Sequence, residues 1–196
     1  MRRTLLAGLA LLALLGGCAQ QPVKEPADWA AHRDAVSARA SWDLQGKIGL
    51  RSPGHSGSAF LSWNQRSDTF KLVLSGALGL GRLVLEGDAT GVSWQGKDGK
   101  TRHHPDASVM IAEAWGWTVP VSALRFWVRG IPDPSLPVED QVLERGLATR
   151  FRQSGWTVTP ENYSDAAGIS LPGRVRLQGQ GAALTVSISR WTFPPA

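Results

Sequence analysis

The sequence has few of the features on which many protein classes depend. Cysteine occurs once in 196 residues, so no disulfide can form within the chain. The domain must therefore be held together by its hydrophobic core alone, even in a compartment that permits disulfides. Neither sign of charge is in large excess, since 21 Lys and Arg against 16 Asp and Glu give a net charge of +5. This excess is too mild to indicate a nucleic-acid-binding protein.

Motifs that mark catalytic and metal sites are missing as well. The chain has no Gly-x-Ser-x-Gly elbow and no phosphate-binding glycine loop followed by a helix. His103-His104 suggests a metal, but adjacent strand residues point to opposite faces and no further ligand pair has zinc spacing. We interpret these histidines as solvated turn residues, and we place Glu139-Asp140 in a proline-rich connector. We expect no catalysis, no metal and no cofactor.

No apolar run is long enough for a permanent transmembrane helix. Residues 5–15 are apolar, but they are too few to cross about 30 Å of hydrocarbon with helix ends to spare. The basic residues before this run and Gly16-Gly17 after it complete the pattern of a secretion signal. The junction with Cys18 resembles the lipobox of bacterial lipoproteins. We predict that residues 1–17 are a signal peptide and that Cys18 carries the lipid; a free cysteine after an ordinary signal is the alternative.

The residues after Cys18 predict where the mature protein lies. Residues 18–28 contain two prolines and no apolar period, and we predict that they form a flexible lipid tether. Residues 29–196 then form one domain. In well-studied Gram-negative bacteria an aspartate after the cysteine retains a lipoprotein in the inner membrane. Ala19 therefore indicates the outer membrane, with the domain facing the periplasm.

The sequence is rich in tryptophan and in segments where apolar and polar residues alternate. There are nine tryptophans but one tyrosine. Apolar and polar residues alternate between 41 and 94, and again in Leu147–Phe151, Trp156–Thr159, Arg174–Gln178 and Leu184–Phe193. This alternation is typical of half-buried antiparallel strands. We interpret Asn162-Tyr163-Ser164 as a loop. Helical spacings predict three helices, over 29–40 with Asp28 as N-cap, over 106–115, and from Pro120 to Gly130. The fold class is mainly β with helices (α+β): one curled antiparallel sheet of roughly nine to eleven strands.

One segment between two predicted strands is unusually apolar. Leu78 and Leu80 are flanked by glycines in Ser75–Gly81, where a turn would ordinarily be polar. A leucine that projects from a flexible tip forgoes roughly 1.5–3 kcal/mol of burial. Such a cost indicates insertion into something apolar. A strand that continues through both leucines into the core remains the alternative.

Several spaced motifs together resemble one known family. They are Trp42-x-Leu44-x-Gly46-Lys47-Ile48-Gly49, Ser58 to Gln65 with Trp63-x-Gln65, Leu78-Gly79, and Gly116-Trp117-x-x-Pro120-x-x-x-Leu124-x-x-Trp127-x-x-Gly130-x-Pro132. By these residues the chain resembles the outer-membrane lipoprotein receptor LolB family over essentially its whole length.

The resemblance implies a fold and an activity. It implies an unclosed antiparallel β-barrel that encloses a hydrophobic cavity, with helices over one end. It also implies a monomer that accepts acylated lipoproteins from the soluble periplasmic carrier LolA. The cargo is then released into outer-membrane phospholipid without an energy source. The functional leucine of the family falls on Leu78; Ala77 replaces the family's proline, and whether Leu80 shares the role is open.

The resemblance and the inward faces of the strands together suggest residues that line the cavity. These candidates are Trp63, Leu72, Leu74, Trp127 and Trp156. For each of them, plain core packing is the alternative. The rival function is accordingly a structural or scaffold lipoprotein with a filled core and no transfer activity. A hydrolase would need a nucleophile and a base that the sequence does not display.

Overall fold

A computed structural model of the chain describes residues 25–76, 82–88, 90–95, 99–110 and 120–195. Within these ranges the helices are α1 (Trp29–Ala38) and α2 (Val121–Trp127), and residues 107–110 are also helical. The strands are β1 (Ser41–Ser52), β2 (His55–Arg66), β3 (Thr69–Ser75), β4 (Arg82–Asp88), β5 (Gly91–Gln95), β6 (Thr101–His104), β7 (Glu139–Glu144), β8 (Leu147–Gln153), β9 (Trp156–Ala166), β10 (Ile169–Gly179) and β11 (Ala182–Thr192).

All eleven strands belong to one antiparallel sheet. Their order is β6-β5-β4-β3-β2-β1-β11-β10-β9-β8-β7, so β6 and β7 are the two edges of the described sheet. Pairing of β1 with β11 joins an N-terminal meander to a C-terminal one. The prediction of an unclosed antiparallel sheet is confirmed, with the strand number at the upper end of the expected range.

Cross-strand rows explain why one face of the sheet is buried. In one row, Leu50 pairs with Leu184, Leu184 with Leu177, Leu177 with Val158, and Val158 with Phe151. Because side chains alternate between faces along a strand, rows of apolar residues coincide on the same side of the sheet. Most of the predicted inward residues of β1, β2 and β3 are buried on this face, which we call the inner face, and Ile48, Leu50 and Phe70 are half-buried there.

Helix α1 begins where the sequence predicted. The Asp28 carboxylate accepts a hydrogen bond from the Ala31 amide at 2.8 Å, which satisfies one of the free amides of the first turn. The helix ends at Ala38, two residues before the predicted end, because the Ala40 carbonyl accepts a hydrogen bond from Ser67 and β1 begins at once. Its buried side chains, His32 and Val36, face the C-terminal strands.

Helix α2 also matches its prediction. Leu124, Trp127 and Val128 form the expected buried stripe after Pro120. Gly130 ends this segment with φ of +78°, and a Cβ there would lie 2.4 Å from the Tyr163 hydroxyl. Only glycine fits this position, since both the backbone conformation and the close approach exclude a side chain.

Three interpretations of the sequence were wrong about local structure. His103 and His104 belong to edge strand β6 and not to a turn. Glu139 and Asp140 begin edge strand β7, although we placed them in a connector. Tyr163 and its neighbours lie inside β9 and not in a loop, and the Tyr163 hydroxyl donates to the Ala148 carbonyl at 2.8 Å. In each case, sheet pairing overrides the local preference of polar residues for turns.

Leu78, Leu80 and Cys18 lie outside the described residues, as do residues 18–24 of the predicted tether and most of the helix predicted over 106–115. Residues 25–28 contact the β7–β8 hairpin, where Glu25 forms an ion pair with Arg145. In the part of the chain that the structure describes, no helix has the length and hydropathy needed to cross a bilayer.

Candidate lipid-binding site

A pocket of about 510 Å³ opens between the inner face of the sheet and the start of α2. Its apolar wall consists of Trp63 on β2, Phe70 on β3, Val92 on β5 and Val121 on α2. The volume falls within the range of roughly 300–1,000 Å³ that is typical of small-molecule sites. The pocket can therefore accept an apolar chain from one side.

The Trp63 ring is fixed in the wall by its neighbours. Its centroid lies 5.3 Å from that of Trp42 and 6.5 Å from that of Phe70. The indole N–H donates to the Gln65 side-chain oxygen at 3.1 Å, and the Gln65 amide donates to the Ser67 carbonyl at 2.8 Å. Because its polar atom is already satisfied, Trp63 offers the pocket an apolar surface.

Phe70 reaches the pocket because β4 has a glycine opposite it. Phe70 pairs with Gly87, and Gly87 pairs with Val92, so the three residues form one row across the inner face. A Cβ at Gly87 would lie 2.6 Å from the Phe70 ring. A larger residue at position 87 would push the ring out of its place in the wall.

The rim of the pocket is charged. It includes Asp68, Asp88, Asp106 and Arg125, and Arg125 forms an ion pair with Asp68 at 3.0 Å. Hydrogen bonds from the Thr90 hydroxyl and amide lower the pKa of Asp88, which therefore stays ionised at neutral pH. An apolar wall below a charged rim suits an amphipathic ligand, with its chain inside and its polar part at the entrance.

A second cavity of about 690 Å³ shares Phe70 and Val92 with the first pocket. Its other lining residues are mostly polar and include Lys71, Glu86 and the two histidines of β6. The two cavities adjoin along β3 and β5, on the side of the sheet that ends in β6. No group of three or more His, Cys, Asp or Glu side chains that could hold a metal occurs in the described ranges.

A buried glutamine amide holds the end of α2 and the following loop in place through hydrogen bonds. Gln153 is 1% exposed, and its oxygen accepts from the Trp127 indole at 2.7 Å and from the Asp133 amide at 3.0 Å. Its nitrogen donates to the carbonyls of Asp133 at 2.9 Å and Leu136 at 3.0 Å. All four hydrogen-bonding positions of this amide are used, so it fixes the end of α2 and the following loop to β8.

A buried arginine connects the two helices. Arg129 donates to the Val36 carbonyl at 2.9 Å, to the Arg39 carbonyl at 3.2 Å and to the Arg125 carbonyl at 2.8 Å. Burial, with a smaller contribution from Arg125, lowers the pKa of Arg129 to about 10, so it stays charged at neutral pH. The charge faces the carboxyl-terminal carbonyls of α1, where the helix dipole favours a cation.

Trp63 is the predicted cavity residue that this structure places in the wall of the described pocket. Leu72, Leu74, Trp127 and Trp156 belong to the same apolar cluster as Trp63 and lie outside the linings of the two cavities described above. Trp156 packs over Gly179, where a Cβ would lie 3.0 Å from the indole ring.

Sequence reasoning missed several residues of the site. Phe70 and Val92 lie at inward positions of predicted strands, so period-two alternation was a sufficient signal for both. Gln153 lies on the same face of β8 as Phe151. Its burial was not predicted because its side chain is polar. No local sequence pattern identified Arg129. Two of its acceptors, the Val36 and Arg39 carbonyls, lie far away in the chain, and the third, the Arg125 carbonyl, belongs to its own helical turn.

Comparisons with known proteins agree with this architecture. The profile of the family described as "Outer membrane lipoprotein LolB" matches residues 40–191. The chain is 38% identical over 192 residues to the outer-membrane lipoprotein LolB of Cellvibrio japonicus, with 95% of each chain covered. It is 38% identical over 189 residues to that of Stutzerimonas stutzeri, with 92% of this chain and 91% of the relative covered.

A solved structure supports the fold alone. A LolA superfamily protein from Nitrosomonas europaea superimposes with a TM-score of 0.53 at 8% sequence identity, covering 84% of this chain and 94% of that one. The profile match and the two relatives extend over most of the chain. The chain belongs to the outer membrane lipoprotein LolB family.

Proposed function

We propose that this chain is an outer-membrane lipoprotein, anchored through Cys18 with its domain facing the periplasm. Residues 1–17 are removed as a signal peptide, residues 18–28 link the lipid to the domain, and residues 29–196 form one monomeric lipoprotein-binding domain. The name of the two relatives, outer-membrane lipoprotein, supports this location.

In this proposal the domain accepts acylated lipoproteins from the carrier LolA and inserts them into outer-membrane phospholipid. The observation that carries it is the pocket of about 510 Å³, with its apolar wall and charged rim. Acyl chains would leave water at a gain of roughly 25 cal/mol per Å² of apolar surface. The polypeptide of the cargo would stay at the rim, where Asp68 and Asp106 are exposed and Arg125 is half-buried.

The predicted cavity residues extend this site along the inner face. Leu72 pairs with Trp63 one row behind Phe70, and Leu74 lies one row further on, opposite Leu61. We propose that an acyl chain enters beside Trp63 and continues towards Leu72 and Leu74. Trp127 and Trp156 would line its deepest part, since they share the apolar cluster.

We propose that transfer is passive and non-enzymatic. The cargo moves downhill through successive affinities for its acyl chains, and the bilayer is the largest apolar phase available. Leu78 assists the last step by entering lipid, and Leu80 shares this role. The support is the apolar sequence that joins β3 to β4, together with the resemblance of Leu78-Gly79 to the family motif.

A scaffold lipoprotein with a filled core is the second candidate, and a specific observation favours it. Trp127 and Trp156 are almost fully buried, and Trp127 is held by the Gln153 network. A core packed in this way needs no ligand. A hydrophobic fluorescent probe separates the two candidates, because acylated peptide displaces the probe from a carrier, whereas a filled domain binds no probe.

Hand-off itself is tested with LolA carrying an acylated lipoprotein. The loaded carrier is incubated with this protein, phospholipid vesicles are then added, and the cargo is followed by co-purification and flotation. We expect the cargo to move first to this protein and then to the vesicles. Cargo without acyl chains is the control and should not bind. Cargo that stays with LolA, or binding that is equal for both cargoes, would contradict the proposal.

A further inference from the structure

Phe60 is the most exposed large apolar side chain in the described part of the chain. It lies on β2 between Ala59 and Leu61, which both face the core, so its ring points to the outer face of the sheet. The side chain is 61% exposed. A single exposed ring is common on protein surfaces, so what Phe60 can do depends on its neighbours.

The neighbours of Phe60 place a cation on each side of the ring. Lys47 pairs with Phe60 from β1, Ser75 pairs with it from β3, and Arg82 pairs with Ser75 from β4. The Lys47 ammonium lies 5.1 Å from the ring centroid. Lys47 and Arg82 are exposed, and within the described residues neither of them forms an ion pair. Both charges are therefore available to an outside partner.

This surface adjoins the link between β3 and β4. A Cβ at Gly76 would lie 3.4 Å from the Phe60 ring, so the ring contacts the end of β3. In the sequence, Ala77-Leu78-Gly79-Leu80-Gly81 follows immediately and leads into Arg82. In the sequence, Gly76, which the ring contacts, and Arg82 therefore bound the segment that the proposed function assigns to membrane insertion.

We propose that Phe60, Lys47 and Arg82 form a surface that contacts anionic phospholipid, with the ring at the level of the headgroups and the cations on lipid phosphates. Phenylalanine is among the apolar side chains with which proteins enter the boundary between headgroups and acyl chains, because burial there removes the ring from water. Lysine and arginine place their charges in the headgroup layer along flexible apolar stems. The inference rests on the proposed delivery of lipoproteins to the outer membrane.

The apolar area fits a bilayer better than a protein partner. Around Phe60 the outer face offers only the half-buried side chains of Val73 and Val84. A stable protein interface buries about 800 Å² on each partner and has few charges at its centre. One ring between two cations provides neither of these features, whereas an anionic membrane surface complements both the ring and the charges.

Photo-crosslinking tests this surface in the mature, full protein. Phe60 is replaced by the photoreactive aromatic p-benzoylphenylalanine, and the protein is reconstituted in vesicles of phosphatidylethanolamine and phosphatidylglycerol. Leu143, an exposed apolar residue on edge strand β7, receives the same replacement as the matched control. We expect phospholipid adducts at position 60 and none at position 143. Protein adducts at position 60, or equal yields at both positions, would overturn the proposal.

Charge variants test the role of the cations separately. Lys47→Glu should abolish the excess of phosphatidylglycerol adducts over phosphatidylethanolamine adducts at position 60, and Lys47→Arg should retain it. Arg150→Glu reverses an exposed charge on β8 and should leave the excess unchanged. A loss that is equal in the Lys47→Glu and Arg150→Glu variants would contradict a local contact with lipid phosphate.

These measurements use neither LolA nor cargo. If the transfer assay fails while position 60 still crosslinks to lipid, the proposed function is wrong and the membrane surface stands. If transfer proceeds and position 60 yields no lipid adduct, the surface assignment is wrong and the delivery function stands.

Discussion

The two ends of the sheet follow the same alternating pattern but are packed differently. In the filled half, strands β7 to β11, the inner-face residues Phe151, Val158, Val175 and Leu177 have no exposed surface. In the open half, strands β2 to β6, the corresponding row contains Phe70, Gly87 and Val92 and borders two cavities. Alternation therefore determines which face is covered, and the covering elements determine whether that face holds a core or a pocket.

Each half contains both satisfied and unsatisfied buried polar groups, since the Trp63 indole donates to Gln65 in the open half and His32 Nε2 has no described partner in the filled half. In the filled half, Gln153 satisfies the Trp127 indole and the loop after α2. In the open half, the Trp94 indole N–H is buried without a hydrogen-bond partner in the described structure. A satisfied network rigidifies its surroundings, whereas an unsatisfied donor favours rearrangement or a ligand.

The largest expected effect is loss of the Gln153 network. Gln153→Leu should lower the free energy of unfolding by about 3 kcal/mol, because the Trp127 indole and the Asp133 amide lose their acceptor. Gln65→Leu is the matched change in the open half, where the amide makes two hydrogen bonds, and should cost about 1 kcal/mol. Urea denaturation of both variants measures the difference. Equal losses would contradict the distinction between the halves.

The next effect concerns delivery and not stability. Leu78→Glu should fold normally and still receive cargo from LolA, since the proposal assigns Leu78 only to the last step of delivery. Delivery to vesicles should fall roughly tenfold or more, because moving a carboxylate into an apolar phase costs at least about 2 kcal/mol. Flotation of labelled cargo with the vesicles measures this. Wild-type delivery by the variant would exclude a role for Leu78 in insertion.

A matched pair of valine substitutions compares the interiors directly. Val158→Phe should lower the free energy of unfolding by about 1.5 kcal/mol, because this part of the core has no room for a larger side chain. Val92→Phe should change stability less, since the ring can enter the pocket, and it should weaken binding of an acylated peptide. Thermal unfolding and probe displacement measure the two effects. A Val92→Phe variant with unchanged peptide affinity would show that the pocket does not bind acyl chains.

The smallest effect concerns pH and the filled half. Burial of His32 against Trp29 and Tyr163 lowers its pKa from the ordinary value of 6.5. Below about pH 6.5 the unfolded chain therefore binds a proton that the folded chain rejects, and the free energy of unfolding falls as the pH decreases. His32→Leu should make this decrease shallower. The same slope in both proteins between pH 7 and pH 5 would show that His32 does not contribute.

Most of the sheet could be predicted because alternation and turn residues agree along the chain. The exceptions are strands that contain residues typical of turns. Pro160 and Pro172 lie inside β9 and β10, where the pairing of long strands tolerates them, and the sequence alone suggested shorter strands. Asn162 lies within β9 with a φ of +55°, which explains why it was interpreted as part of a loop.

The site was less predictable than the sheet for a physical reason. Alternation identifies inward residues such as Trp63 and Leu72 but not the boundary between cavity and core. That boundary depends on where α2 crosses the sheet, and the crossing is held by Arg129 and Gln153 through contacts distant in sequence. Phe60 was also missed, because Ala59, Phe60 and Leu61 form a short apolar run in which the outward residue does not stand out.

Photolabelling by an acylated lipopeptide is the most direct test of the central claim, that the open half binds acyl chains. The lipopeptide carries a diazirine in its acyl chain, and the labelled residues of this protein are mapped by mass spectrometry. We expect labels on Trp63, Phe70, Val92 or Val121, and their loss when an unlabelled acylated peptide is added in excess. Labels confined to the outer face, or no displaceable label at all, would contradict it.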